Sequence, residues 1–276
     1  VAKDILISLE KLNILSKKDT DNFMRSFSTI TTEFLNDQTR LNKKILSYNK
    51  FIKKYGHLRA GTYDLKSRNY KQLGKKVLLN QSPKKIIHPS PFKLTNIKRN
   101  KIRKLLDQKK IDLNVNELFL YIENSIKARE YSKFVFTKSV NIILEKIKNF
   151  SKMKKIELHD MEHLTINEII SSQKITKKKI TKKIYDNKKN QLLNRTIKLP
   201  EIVVEKENAY IGASVVSTPN FVTDQNIIAN IIYINNSLKQ NLDNKIILLE
   251  NADPGFDFIF GFKIRGLITK YGGANS

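Results

Sequence analysis

From Lys93 to Leu199 the chain contains neither glycine nor proline, and this absence limits what it can fold into more than any other feature. Proline removes a helix hydrogen bond and glycine loosens the backbone, so a stretch without either has nothing in it that breaks a helix. Five of the nine glycines fall instead between Gly255 and Gly273. This distribution predicts a mostly α-helical first part and a small, tighter α/β unit at the end, an α+β chain divided into residues 1–199 and 200–276.

Apolar spacing fills in the first part. Ile5, Leu6, Leu9, Leu12 and Ile14 form a short stripe. Asp19, Thr20 and Asp21 offer N-caps for one long helix that carries Phe23, Phe27, Ile30, Phe34, Leu41, Ile45 and Phe51 and stops at Tyr55-Gly56. A polar loop over residues 57–64 and a connector around Pro83, Pro89 and Pro91 follow. Leu118, Ile122, Ile126, Tyr131, Phe134 and Val135 begin a long amphipathic helix that continues through Ile143 and Ile147. Thr165 with Glu168 forms a capping box. Residues 173–190 read as a Lys-rich, solvated helix or linker with a thin apolar face of Ile175, Ile180, Ile184 and Tyr185. Beyond Pro200 the pattern turns to short β-branched runs at 202–204, 227–232, 246–249 and 264–269, as buried strands require, with a turn at Asp253-Pro254-Gly255.

Composition bounds the function classes. The net charge is +26, but only nine of the 52 basic side chains are arginine. Nucleic-acid interfaces favour arginine for its bidentate fork, whereas abundant Lys, Asn and Ile are what AT-rich codons produce without selection for binding. A basic module that binds nucleic acid or another polyanion is therefore the second reading. With no cysteine there is neither a disulfide framework nor a thiolate metal site, and no metal ligand is assigned. No apolar run approaches the roughly 18 residues that span a bilayer. The start at Val1 has no signal-peptide architecture, so a cytoplasmic location is expected and Val1 reads as an internal boundary.

The last residues carry the chemistry. A hydrophobic strand ends in Thr269, followed by Gly272, Gly273, Asn275 and Ser276. Paired glycines allow a backbone to approach a bound group closely, and Ser276 suits an N-cap whose following N–H groups would face a phosphate. Alone, a Gly-Gly after a strand is also an ordinary turn.

Thr269, Gly272, Gly273 and Ser276 match T-x-x-G-G-x-x-S-H, the phosphohistidine motif of the PEP-utilising enzymes (PEP synthase and pyruvate phosphate dikinase), and the flanking segment from Leu249 to Phe260 resembles that family's mobile domain. Upstream, residues 55–64 resemble the family's Y-G-H-L-R-P-G-T-Y-D element, with Ala60 in place of proline. Residues 129–134 resemble a further element, and Pro219 to Thr223 resemble the lead-in to the mobile domain. The resemblance covers nearly the whole chain and leans towards the glutamine kinase-like branch.

The resemblance implies an ATP-dependent phosphotransferase. An ATP-grasp domain, expected upstream of Val1, would use ATP and Mg2+ to phosphorylate a histidine expected immediately after Ser276. The mobile domain would then swing and pass the group to a small-molecule acceptor, pyruvate or glutamine-like. This chain alone is expected to be inactive. Its histidines at 57, 88, 159 and 163 lie outside the mobile domain, and none is the carrier. Arg59, Arg129, His57, Thr62 and Asp64 are the candidates for binding acceptor or phosphoryl group, since arginine holds such anions bidentately. The competing reading pairs Arg59 and Arg129 with Asp64 and Glu130 structurally and makes His57 a hydrogen-bonded turn residue. Asp253 and Asp257 either orient the mobile-domain loop or serve turn chemistry.

Overall fold

The computed structural model describes residues 1–75, 78, 88–196, 205–206, 221–223, 225–234 and 241–271. The chain is mostly helical with one small parallel sheet, the expected α+β class. Among the described residues ten α-helices run in order: α1 (Ala2–Lys11), α2 (Lys17–Met24), α3 (Ile30–Asn42), α4 (Tyr48–Tyr55), α5 (Tyr70–Leu73), α6 (Asn96–Gln108), α7 (Val115–Lys154), α8 (Leu158–Met161), α9 (Ile166–Ser171) and α10 (Lys177–Thr196). The strands are β1 (Ile231–Tyr233), β2 (Ile246–Asn251) and β3 (Gly266–Tyr271), with a 3-10 helix over Pro254–Gly261 between the last two. Among the described residues no helix is long and apolar enough to cross a membrane.

The single helix expected from Phe23 to Phe51 is three helices. Their breaks are written in hydroxyl caps: Ser16, Thr29 and Ser47 stand in extended backbone and accept the N–H three residues on, Ser16 forming a reciprocal capping box with Asp19. Each cap satisfies a donor that a helix start leaves unpaired. The stretch free of glycine and proline is also interrupted. Lys110 and Lys155 take left-handed backbone (φ 54° and 52°) and end α6 and α7, a role that glycine fills more often. The capping box at Thr165 and Glu168 stands where expected. So does the long helix α7. Ile227 and Ile228, read as strand, lie outside the sheet, and Ile228 is fully exposed.

Two compact units divide the chain. The first holds residues 1–62, 67–141 and 227–276; the second holds 63–66 and 142–226. The boundary expected after Leu199 falls among residues outside those described. Within the first unit, α1, α2, α6 and the start of α7 enclose Phe23, Phe27, Ile102 and Ile122, with Phe23 edge-on to Phe27, Phe92 and Phe119. A second core in the same unit joins Phe34, Phe51, Tyr55 and Tyr70 of the helices to Ile247, Leu249, Phe258 and Ile259 of the sheet segment. The sheet has the order β1-β2-β3, all parallel, with Leu249 opposite Thr269. In the second unit Leu65, Ile147, Met161, Ile180 and Ile184 form a smaller core, so α10 has the thin apolar face expected of it, while Tyr185 is exposed.

Candidate functional site

A cleft of about 290 Å³ opens in the first unit. Three helical faces and one turn build it. Ile30, Thr31 and Phe34 come from α3 and Tyr55 from the end of α4. Glu130, Lys133 and Phe134, at helical spacing on α7, form a second wall. Asp253, Phe256, Asp257 and Phe260 come from the 3-10 helix and its cap.

The loop after Tyr55 is locked to the sheet segment. Asp253 is the cap residue of the 3-10 helix, with proline starting the turn, yet its side chain does not cap that helix. It accepts the Thr62 N–H at 3.1 Å. The Tyr70 hydroxyl donates to the Gly255 carbonyl oxygen at 2.8 Å. Gly255 lies so close to the Arg59 carbonyl that an added Cβ would stand 1.5 Å from its oxygen. The expected turn at Asp253-Pro254-Gly255 is thus a close approach of two backbones as well as a turn.

Asp257 is the group with unusual chemistry. Its Oδ2 accepts the Thr31 hydroxyl at 3.1 Å. Loss of water around the carboxyl pushes its pKa up to about 7; Thr31 pulls against that, the Glu130 charge adds to it, and Lys133 opposes it. Tyr70, fully buried, is likewise pushed up, first by burial and then by the charge of Asp257.

A pH dependence follows. Asp257 binds its proton more tightly folded than unfolded, so its contribution favours folding below about pH 4, the ordinary aspartate range, and is lost as pH rises to about 7. His57 works the other way. Burial drives its pKa down to about 4, against the pull of the Phe134 carbonyl, so protonating it costs stability as pH falls below about 6.5. The stability of wild type relative to Asp257→Asn, measured by urea unfolding, should therefore fall steadily as pH rises from 4 to 7. A difference that stays flat over that range counts against the buried carboxyl.

The sequence candidates fall in different places. Arg59 is buried, donating to the Ser67 carbonyl at 3.1 Å and to Asn141 on α7, which Asn69 also contacts. It ties the loop to the helix and does not line the cleft. Arg129 is exposed, beside Glu130 at 3.2 Å, and lines a separate recess with residues 1–4. His57 packs edge-on to Phe134, its Nε2 3.3 Å from the Phe134 carbonyl. Thr62 is buried with its N–H on Asp253, and Asp64 accepts the Lys66 N–H at 2.8 Å. Thr269 lies partly buried in β3, whereas Gly272, Gly273, Asn275 and Ser276 lie outside the described residues. Lys133 belonged to an element noticed in the sequence without a role, and Glu130 entered there only as the structural partner of Arg129, beside which it stands; their i, i+3 spacing was the available signal. Asp257 had no such signal. Among the described residues no group of three or more His, Cys, Asp and Glu is placed to hold a metal ion.

Compared with protein-family models, with curated proteins and with solved structures, the chain matches none.

Proposed function

We propose that this chain is the acceptor side and part of the mobile domain of a phosphohistidine-type phosphotransferase of the PEP-utilising class. One observation carries the reading. Two of the segments that resemble the family, residues 55–64 and 249–260, lie far apart in sequence yet are joined by Thr62–Asp253 and by Gly255 against Arg59, and Tyr55 and Leu58 of the one line a cleft together with Asp253, Phe256 and Asp257 of the other. Two unrelated coincidences of sequence would have no reason to share a site. The sheet adds support: parallel sheets are normally covered on both faces, yet Ile231, Tyr233 and Ile268 stand 48–61% exposed on one side. Among the described residues, apolar side chains left exposed on that face suit a domain that packs against a further element.

In this reading ATP and Mg2+ act on an ATP-grasp domain encoded before Val1, and the cleft receives the acceptor. A neutral imidazole is nucleophilic near pH 7 and returns the phosphoryl group readily, so the protein's share is positioning and exclusion of water. The apolar walls of Phe34, Phe134 and Phe256 serve the second task, and the polar groups on α3, α7 and the 3-10 helix serve the first.

Reading the coding sequence past both ends tests this directly. Histidine is expected after Ser276 and an ATP-grasp domain before Val1, and the encoded protein should take one acid-labile, alkali-stable label from radiolabelled ATP. Another residue at that position, or a label that survives acid, removes the phosphocarrier and with it the proposal.

A further inference from the structure

We propose that His159 and His163 form a two-histidine site for one late first-row transition-metal dication, such as zinc, held through both Nε2 atoms with water completing its coordination. The site lies in the second unit and is independent of the phosphotransferase reading.

The sequence sets the two imidazoles four residues apart, in His159-Asp160-Met161-Glu162-His163. Helix α8 and its C-cap Glu162, still in helical backbone, wind that spacing into one turn, so the rings stand side by side with centroids 5.6 Å apart. A metal about 2.0 Å from each nitrogen stands roughly 3.2 Å from each ring centre, which puts two ligating imidazoles about 5–6 Å apart. The turn is anchored at both ends of the pair. Met161 is buried in the core of the second unit, and Asn187 of α10 donates to the His163 carbonyl oxygen at 2.8 Å.

Both rings are held by Nδ1. His159 Nδ1 lies 3.2 Å from Oδ1 of Asp160, and His163 Nδ1 lies 2.7 Å from Oε1 of Gln191 on α10. A carboxylate and an amide oxygen only accept, so each Nδ1 carries the hydrogen and each Nε2 keeps its lone pair. Among the described residues no hydrogen bond reaches either Nε2. An oxygen on the far nitrogen fixes tautomer and ring orientation and makes an imidazole a stronger metal ligand. The two neighbouring carboxylates each face an ammonium: Asp160 accepts from Lys188 at 2.6 Å, and Glu162 pairs with Lys66 at 3.0 Å. Neutral nitrogen donors beside neutralised carboxylates select an imidazole-seeking ion over Mg2+ or Ca2+, which prefer oxygen. His159 is exposed and His163 half-buried, so an ion enters from solvent.

Isothermal titration of the full chain with zinc chloride should show one saturable site, and magnesium chloride should show none. His159→Ala and His163→Ala should each remove it, whereas His88→Ala should leave it intact. Neither imidazole belongs to the apolar core of the second unit, so both variants should keep the wild-type urea midpoint in the absence of metal. Zinc should raise that midpoint in wild type and not in either variant, because an ion bound to the folded turn favours the folded state. Gln191→Leu should weaken binding about 10-fold, the lower range for loss of an outer partner, while Gln191→Glu keeps an acceptor on Nδ1 and should bind at least as tightly as wild type. Long-range nitrogen NMR of the imidazoles should show zinc shifting Nε2 and not Nδ1. No saturable site, binding that survives loss of either histidine, Nδ1 as the ligating atom, or a Gln191→Leu affinity equal to wild type overturns the proposal.

Discussion

Replacing Gly255 with alanine is expected to cost roughly 3 kcal/mol of stability, at the upper end of the usual range for overpacking. The added Cβ would stand 1.5 Å from the Arg59 carbonyl oxygen, 2.0 Å from its carbon and 2.8 Å from the Ala60 nitrogen. All three are backbone atoms, so no rotamer change relieves the clash, and the loop must separate from the 3-10 helix. The Tyr70–Gly255 and Thr62–Asp253 hydrogen bonds are strained by the same movement. Gly266 is the control. Its Cβ would meet only the Ile246 side chain at 3.5 Å, ordinary contact, so Gly266→Ala should shift the urea midpoint by the equivalent of about 0.5 kcal/mol or less. Equal shifts in the two variants would mean that the loop and the 3-10 helix are not in close contact.

Phe34→Ala should cost about 3–5 kcal/mol, the usual range for emptying a buried aromatic site. The ring is buried, with its centroid 5.1 Å from that of Tyr55, 5.8 Å from Phe51 and 6.0 Å from Tyr70. The same core contains Ile247 and Leu249 of β2 and Phe258 and Ile259 of the 3-10 helix. Loss of Phe34 should therefore lower hydrogen-exchange protection in β2 as well as in α3 and α4, because elements that share a core open together. Protection in β2 that stays at the wild-type level would show that the sheet segment is a separate cooperative unit.

How far the fold was legible depends on which residues are considered. The capping box at Thr165 and Glu168 and the stripe of α7 are local patterns, and both appear where their spacing puts them. The breaks after Phe23 were legible in principle, since Thr29 and Ser47 are ordinary caps, but an unbroken apolar period masked them. The turns at Lys44, Lys110 and Lys155 were not legible, because lysine in left-handed backbone leaves no compositional trace. Asp253 and Asp257 read locally as loop orientation or turn chemistry, and only the fold brings Thr62 and Thr31 to them.

The sequence by itself determined the class of the chain, a helical body followed by short strands, and the positions of most stripes and some caps. These follow from backbone propensity and side-chain period, which act within a few residues. The tertiary structure decided which stripes share a core, that Arg59 is an internal tie and not a surface cation, and that Asp257 is the carboxyl with a raised pKa. The physical reason is desolvation. Whether a charged group loses its water depends on what other parts of the chain bring against it, and for Asp257 the partner Thr31 lies 226 residues away.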